Sequence, residues 1–351
     1  MRSWILPAVY VFLGIVSCIT LSSVAPTLAQ KQLQAFVLGG VLIAALSQLP
    51  FSLFLRLRWP LYILNILLLV LPLFVFASTR NTHRWIDIGG LTYQPSQTAG
   101  LLALGVILIT LTSAREITMG TISKILLLAA IPIGLVFAAP DLGSAVLVAV
   151  TLLSPLFFVS LKWTRIVPFI VLGLLGVVIA WFFFLAPYQR ERLLVFIGGE
   201  KTENYNAHQA LIAVGSGELL GRGIGKGVQS HLRFLPERQT DFIFASFAEE
   251  FGFIGCSVLI GTYLILIIFL WYISAYVHTL AGKLWMLSTA VLFLVQVSIN
   301  IHMNLGLLPI TGVTLPFMSY GGSSIVALSL LLGINQQLVL TSEKKVTLHI
   351  T

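Results

Sequence analysis

Long apolar stretches separated by short polar segments dominate this chain. About ten of them approach the roughly 20 residues that a helix needs to cross the hydrocarbon core of a bilayer. They lack the apolar/polar alternation of strands in a membrane barrel. The pattern therefore predicts an all-α polytopic integral membrane protein with about ten transmembrane helices. The predicted spans are 3–23, 33–54, 61–78, 97–113, 122–139, 143–161, 165–187, 242–275, 282–305 and 323–341.

The composition supports a membrane protein and narrows its partners. Of the 351 residues, 58% are hydrophobic and 9% are charged, whereas soluble domains carry about 25% charged residues. The net charge of +8 suits anionic membrane lipids or a phosphorylated substrate. No soluble region large enough to hold nucleic acid is predicted, so we expect a single membrane domain over 1–351.

Among the short connections, basic residues lie mainly in alternate ones. An even number of spans places both termini on one side, and the termini and short connections of that side hold ten of the 20 Lys and Arg residues: Arg2, Arg56, Arg58, Arg115, Lys124, Lys162, Arg165, Lys283, Lys344 and Lys345. The opposite short connections, near 24–32, 140–142 and 306–322, hold only Lys31. Because basic loops stay on the cytoplasmic side, we predict that both termini are cytoplasmic.

One polar segment, residues 188–241, is too long for an ordinary connection and is predicted to be a functional extracytoplasmic loop. Its middle combines an apolar patch with six glycines between Gly215 and Gly227. We expect part of it to form a short amphipathic helix on the membrane surface.

The densest group of ionisable side chains closes this loop, in the run QSHLRFLPERQTDFIFASFAEEFG at 229–252. Charged groups lose hydration at a membrane boundary and persist there only with partners or a function. Asp241 begins an apolar helix, so its carboxylate suits both a helix cap and a general base. One of the deeper glutamates, Glu249 and Glu250, would also satisfy a purely structural role, by accepting hydrogen bonds from nearby irregular backbone.

Three further polar segments lie at the same predicted face: RWIDIGGLTYQPSQ (84–97), APDLGSA (139–145) and NIHMNLGLLPITGVTLPFMSYGGSS (300–324). A solvated turn would explain the first, and helix capping by Asp141 would explain the second. The third is broken by Pro and Gly, and such backbone is tolerated at membrane depth only where it lines a cavity or is buried in protein.

Four runs together resemble the SEDS family, named for shape, elongation, division and sporulation. They are FLPERQTDFIFASFAEEFGFIG (234–255), RWIDIGG with QPS (84–96), PDLGSA (140–145) and NLGLLPITGVTLPFMSYGGSS (304–324). The likeness extends over nearly the whole chain, in the same order. The run VQSHLRFLPERQTDFIF looks more like the elongation branch, RodA, than the division branch, FtsW.

The resemblance implies a bacterial inner-membrane glycosyltransferase that polymerises lipid II into β-1,4 glycan strands with inversion, together with a class B penicillin-binding protein. It places the catalytic aspartate at Asp241. It also implies a divalent cation, Mg²⁺ or Mn²⁺, as a possible cofactor, and no organic cofactor. Expected substrate-binding residues are Arg84, Arg233, Glu237, Arg238, Glu249, Ser319 and Tyr320, and expected supporting residues are Asp141, Gln94, Pro309, Pro316 and Gly321.

The chain departs from the family pattern at two positions, where a glutamate and a lysine are usual and Gln97 and Gly100 stand here. Losing both charges leaves neither unpaired, so the fold should tolerate the change, but a cationic contact for pyrophosphate would be missing. Other functions therefore stay open: a lipid-precursor flippase, or a weakly active scaffold for the transpeptidase. An ion-coupled transporter is disfavoured because the charges cluster at the outer face instead of along a midplane path.

Overall fold

The computed structural model describes residues 3–74, 84–88, 91–179, 181–182, 185, 190, 194, 205–232 and 234–348. It is a helical bundle with one small antiparallel sheet. The helices are α1 (Ile5–Val24), α2 (Pro26–Gln48), α3 (Phe51–Arg56), α4 (Arg58–Phe74), α5 (Ser96–Thr112), α6 (Met119–Ala138), α7 (Leu142–Leu153), α8 (Trp163–Ile179), α9 (Tyr205–Ser216), α10 (Val228–His231), α11 (Ile243–Ser274), α12 (Leu280–Asn304) and α13 (Gly322–Leu348), and the strands are β1 (Ile86–Ile88) and β2 (Leu91–Tyr93).

The predicted fold class is confirmed, since a described helix overlaps each predicted span. Six of the described helices, α1, α2, α6, α11, α12 and α13, are long and apolar enough to cross a membrane. Boundaries differ most in the second span, where α2 begins at Pro26 and ends at Gln48. Leu49 is extended there, because the residue before a proline disfavours the helical conformation, and α3 resumes after Pro50.

The bundle exposes apolar side chains around its outside, as a protein solvated by lipid does. Along α1, Val11 and Ile15 are each 55% exposed, and along α2, Val37 and Val41 are 62% and 61% exposed. A contiguous apolar surface of this kind would aggregate in water. The exposure therefore supports insertion in a bilayer.

The core is centred on α12, which packs against α5, α7, α11 and α13. Helix α5 is buried on most sides, as expected of a helix that is apolar all round. Large side chains fill the rest of the core, including the fully buried Trp285, Tyr263, Phe293 and Phe317. This packing fixes the outer ends of the helices, where the polar segments lie.

Helix α11 is kinked at Gly252, whose φ of 66° and ψ of −166° are not helical. The glycine-rich loop after α9 inserts at this kink and takes up the backbone groups that the helix leaves unpaired. Four hydrogen bonds join them: Phe253 N–H to Glu218 O (2.9 Å), Ile254 N–H to Leu219 O (3.1 Å), Arg222 N–H to Glu249 O (2.9 Å) and Gly223 N–H to Glu250 O (3.1 Å).

The predicted helix in the 188–241 loop is present as α9, but one face packs on protein. Ala210 and Ala213 are buried there in a cluster with Leu235, Phe242 and Ala245. The placement of α9 on the membrane surface stays a prediction. The alanines are small enough to let α9 approach the start of α11 closely, so α9 helps to fix the turn that carries Asp241.

Candidate active site

Asp241 lies in a turn that begins at Glu237 and leads into α11. Glu237 adopts a left-handed conformation with φ of 49°, and its carbonyl accepts from the N–H groups of Thr240 and Phe242. The Glu237 side chain accepts from the Thr240 hydroxyl at 3.0 Å. Glu237 is exposed, and in this arrangement its carboxylate shapes the turn.

Three successive carbonyls of this turn are held by donors from elsewhere in the chain. Tyr320 N–H donates to Gln239 O at 2.8 Å, and the Ser319 hydroxyl donates to Thr240 O at 2.6 Å. The third carbonyl, Asp241 O, accepts from the side-chain amides of two asparagines of α12. Asn300 Nδ2 and Asn304 Nδ2 both lie 3.0 Å from it.

This network fixes the backbone that carries the Asp241 carboxylate. The same Asn304 side chain accepts from Ala245 N–H at 3.0 Å, so it joins both the turn and the first turn of α11. The Asp241 side chain is half-buried. Its Oδ2 faces Gly312, where a Cβ atom would lie 3.7 Å away, so the carboxylate borders the 305–321 connection.

A second polar cluster forms around Asp141, which caps α7 through a 3.1 Å bond from Ser144 N–H to Oδ1. Gln94 Nε2 donates to Asp141 Oδ2 at 2.8 Å, and the Ser96 hydroxyl donates to the same oxygen at 3.3 Å. Arg84 Nη1 lies 3.7 Å from Asp141 Oδ1. The predicted residues Arg84, Gln94 and Asp141 therefore meet in space.

The 305–321 connection lies between the two clusters. A Cβ atom at Gly143, next to Asp141 on α7, would lie 2.7 Å from Thr311 O and 2.8 Å from Val313 Cγ2. Close approach at this point requires glycine. Because Gly312 borders Asp241 and Thr311 borders Gly143, a short run of backbone joins the aspartate turn to the Arg84–Asp141 cluster.

Glu249 and Glu250 lie deeper and are 0% and 1% exposed. Glu249 accepts from Gln229 N–H at 2.8 Å, from Ser230 N–H at 3.0 Å and from the Ser230 hydroxyl. Glu250 accepts from Gly225 N–H at 3.1 Å and from the Ser23 hydroxyl, and His231 Nε2 lies 3.5 Å away. These contacts match the structural alternative for Glu249, acceptance of hydrogen bonds from nearby irregular backbone, and its predicted contact with substrate stays a prediction.

The remaining predicted residues mostly hold backbone in place. Arg238 Nε donates to Val24 O at 3.1 Å, which joins the turn to the end of α1. Pro316 O accepts from the Tyr263 hydroxyl at 2.6 Å, and Pro309 is half-buried in the same connection. Gly321 N–H donates to Gln32 Oε1 at 3.4 Å. Arg233 lies outside the described residues.

Gln97 and Gly100 line a cavity between α5, α7, α12 and α13, together with Ser144, Thr151 and Gln296. All five are neutral. A Cβ atom at Gly100 would lie 3.1 Å from the Thr151 Cβ and Cγ2 atoms. Helices α5 and α7 are therefore packed closely here, and the fold accommodates the two departures from the family pattern.

A protein-bound metal is not supported by the donor set. Within the ranges that the structure describes, no three His, Cys, Asp or Glu side chains are grouped as a metal site requires. The divalent cation stays a prediction.

Sequence reasoning missed Asn300, Asn304 and Gln32. The two asparagines are four residues apart on α12 and so share one face, and all three side chains are 0% exposed. A buried amide in an apolar helix is costly unless it is hydrogen-bonded. Amide side chains within apolar helices were therefore the sequence signal that could have identified these residues.

Comparisons with known proteins extend over nearly the whole chain. A family model described as "Cell cycle protein", named for FtsW, RodA and SpoVE, matches residues 2–344. The peptidoglycan glycosyltransferase MrdB of Escherichia coli (strain K12) is 35% identical over 305 residues, which cover 85% of this chain and 82% of the relative. MrdB of Helicobacter pylori is 32% identical over 343 residues, which cover 95% of this chain and 89% of that protein.

Two solved structures are similar in fold. One is a chain from "a peptidoglycan synthase complex", with a TM-score of 0.83, 29% identity and coverage of 97% of this chain and 98% of that chain. The other is the rod shape determining protein RodA of Thermus thermophilus, with a TM-score of 0.73, 27% identity and coverage of 96% of both chains.

Proposed function

Because this chain belongs to the SEDS family of FtsW, RodA and SpoVE peptidoglycan glycosyltransferases, we propose that it polymerises lipid II with Asp241 as its general base. The observation that carries the assignment is the fixed turn. Carbonyls of Gln239, Thr240 and Asp241 are all bound from α12 and the 305–321 connection. A base acts efficiently only when it is held within hydrogen-bond reach of the proton that it removes.

The stereochemistry of the reaction suits a single base. The donor sugar of lipid II is α-linked to pyrophosphate and the glycan product is β-1,4-linked, so displacement at the anomeric carbon inverts. Asp241 accepts the proton of the acceptor's 4-hydroxyl while that oxygen forms the new bond and the lipid pyrophosphate departs. The carboxylate borders Gly312, where the 305–321 connection leads toward the second cluster.

Arg84 is the group that meets the leaving pyrophosphate. Its Nε atom is buried and has no hydrogen-bond partner among the described residues, although its Nη1 lies near Asp141. A buried donor without a partner is costly, and a phosphate oxygen would satisfy it with a charge-assisted bond. Asp141, held in turn by Gln94 and Ser96, keeps the guanidinium oriented.

The protein acts from a bacterial cytoplasmic membrane, with both termini inside and the Asp241 turn on the outer side. The excess of Lys and Arg in the opposite short connections supports this orientation. Its partner is a class B penicillin-binding protein, which crosslinks the strands. Similarity to a chain from a peptidoglycan synthase complex supports such a partnership.

The test is a polymerisation assay with purified protein, labelled lipid II and added class B partner, with and without Mg²⁺ or Mn²⁺. We expect long glycan strands from the wild type and a loss of activity of about 100-fold or more for Asp241→Asn, as general bases contribute about 10²–10⁴-fold. Glu116→Gln is the matched control, because Glu116 is an exposed carboxylate on the predicted cytoplasmic face. Polymerisation by Asp241→Asn at the wild-type rate would refute the base assignment.

A scaffold function is the second candidate, and the neutral cavity at Gln97 and Gly100 favours it. A scaffold would co-purify with the class B protein and leave lipid II unpolymerised under every condition. A flippase would instead move labelled lipid II across vesicle membranes without joining sugars. The same preparations distinguish the three activities.

A further inference from the structure

Gln32 is buried near the outer end of α2, in a position that the proposed chemistry does not use. Its neighbours Gln30, Lys31 and Gln34 are exposed, as polar side chains at a membrane boundary normally are. Gln32 is 0% exposed. A buried amide is costly unless it is hydrogen-bonded, so its contacts need an explanation.

Gln32 bonds to the backbone of residues 318–321 and to Ser17, which itself bonds to that backbone. Gln32 Nε2 donates to Ser319 O at 3.1 Å and to the Ser17 hydroxyl at 3.0 Å. Its Oε1 accepts from Gly321 N–H at 3.4 Å. The Ser17 hydroxyl in turn donates to Met318 O at 2.9 Å. Side chains of α1 and α2 thus hold the backbone of residues 318–321 from one side.

The other side of the same segment holds the catalytic turn. Ser319 Oγ donates to Thr240 O at 2.6 Å and accepts from Leu315 N–H at 2.8 Å, and Tyr320 N–H donates to Gln239 O at 2.8 Å. The segment 318–321 therefore lies between Gln32 and the turn that carries Asp241. If this backbone moved, the hydrogen bonds that its residues donate to the carbonyls of Gln239 and Thr240 would be displaced.

We propose that Gln32 is a positioning residue for Asp241, acting through the backbone of residues 318–321 and the Ser319 hydroxyl. This inference rests on the proposed function, since it assumes that Asp241 performs the chemistry. Gln32 does not touch the substrate. It sets where the carboxylate stands relative to the acceptor hydroxyl, and displacements of about 1 Å at such a group cost about 100-fold in rate.

The test is Gln32→Met, which keeps the side-chain length and removes all three hydrogen bonds. With the class B partner present and lipid II varied, we expect kcat to fall about 10- to 100-fold and KM to stay within about twofold, because the change affects the transition state and not substrate binding. The matched control is Gln336→Met. Gln336 is also a buried glutamine, bonded to Ser3 O on α1's side of the bundle, far along α13 from the turn.

A double-mutant cycle with Ser319→Ala gives a readout that general destabilisation would not change. If Gln32 acts through Ser319, Gln32→Met lowers kcat less in the Ser319→Ala background than in the wild type. Equal effects in both backgrounds overturn the proposal, as does a Gln32→Met enzyme whose kcat equals that of Gln336→Met or whose KM alone rises.

Folding failure does not remove the test. Where Gln32→Met gives no monodisperse protein, Ser17→Ala removes the bond to Met318 O and is expected to lower kcat in the same way, by a smaller factor. Wild-type kcat in Ser17→Ala would then overturn positioning. Failure of the proposed function looks different: either the wild type makes no glycan, or Asp241→Asn makes it at the wild-type rate.

Discussion

Gly252→Ala is predicted to break the backbone hydrogen bonds between the glycine-rich loop and α11. The backbone at Gly252 has φ of 66° and ψ of −166°, a region that is essentially reserved for glycine. A Cβ atom there would lie 2.2 Å from Gly221 N and 2.7 Å from Leu219 O. Both contacts are to backbone, so no side chain can rotate away to relieve them.

The expected loss of stability follows from the strain and the bonds that break. Strain at such a position costs about 1–3 kcal/mol, and each of the loop-to-helix hydrogen bonds contributes a net of about 1 kcal/mol. With two or three of the four bonds lost, the free energy of unfolding falls by roughly 3–6 kcal/mol. Changes of this size are exceptional for single substitutions and point to a specific mechanism.

Gly261→Ala is the matched control, because Gly261 lies on the same helix and a Cβ atom there meets nothing within 4 Å. Alanine in that position should leave stability unchanged or raise it by up to about 1 kcal/mol. Unfolding in detergent and hydrogen exchange at the Phe253 and Ile254 amides measure the effect. If both variants unfold alike, with equal protection of those amides, the loop does not support the kink.

Three further predictions test the site. Glu249→Gln should lower the free energy of unfolding by about 2–3 kcal/mol, since bonds to a charged acceptor are worth about 1.5–3 kcal/mol; unchanged exchange of the 228–231 amides would contradict this. Arg84→Lys should raise KM for lipid II about tenfold, because the planar fork that holds both Asp141 and phosphate is lost; an unchanged KM would remove Arg84 from the anion site. Gly143→Ala should lower kcat by displacing Thr311 O, which would lie 2.7 Å from the new methyl group, and wild-type kcat would show that this backbone is free to shift.

The spans and the aspartate turn were predictable because their signals are local. Apolar runs of span length and the run around Asp241 each occupy one stretch of chain. The convergence of Arg84, Gln94 and Asp141 was not predictable from spacing, since Gln94 and Asp141 are 47 residues apart. Gln32 and Ser319 are separated by 287 residues, and only the packing of α1 and α2 against the 318–321 segment brings them together.

At Glu249 the sequence predicted a possible acceptor role for irregular backbone, but it could not identify which backbone supplies the donors. A carboxylate inside a membrane helix indicates function by default. That rule assumes that the backbone N–H groups nearby are already hydrogen-bonded and do not need the carboxylate as an acceptor. Here the kink at Gly252 admits a loop whose amides need acceptors. The carboxylate accepts from Gln229 and Ser230, so its charge is satisfied by backbone donors. A kink that depends on a distant loop leaves little trace in the sequence around it.

The neutral cavity at Gln97 and Gly100 changes where the negative charge of the substrate can be met. Removing one member of a buried ion pair costs about 3–5 kcal/mol, whereas a cavity lined by Gln97, Thr151 and Gln296 has no charge to leave unpaired. Hydroxyl and amide groups there can form hydrogen bonds, but they cannot neutralise a departing pyrophosphate. Under the proposed function, that task passes to guanidinium groups at the outer face. Arg84, with its buried Nε still without a partner in the described part of the chain, is therefore the residue whose loss this protein should tolerate least after Asp241.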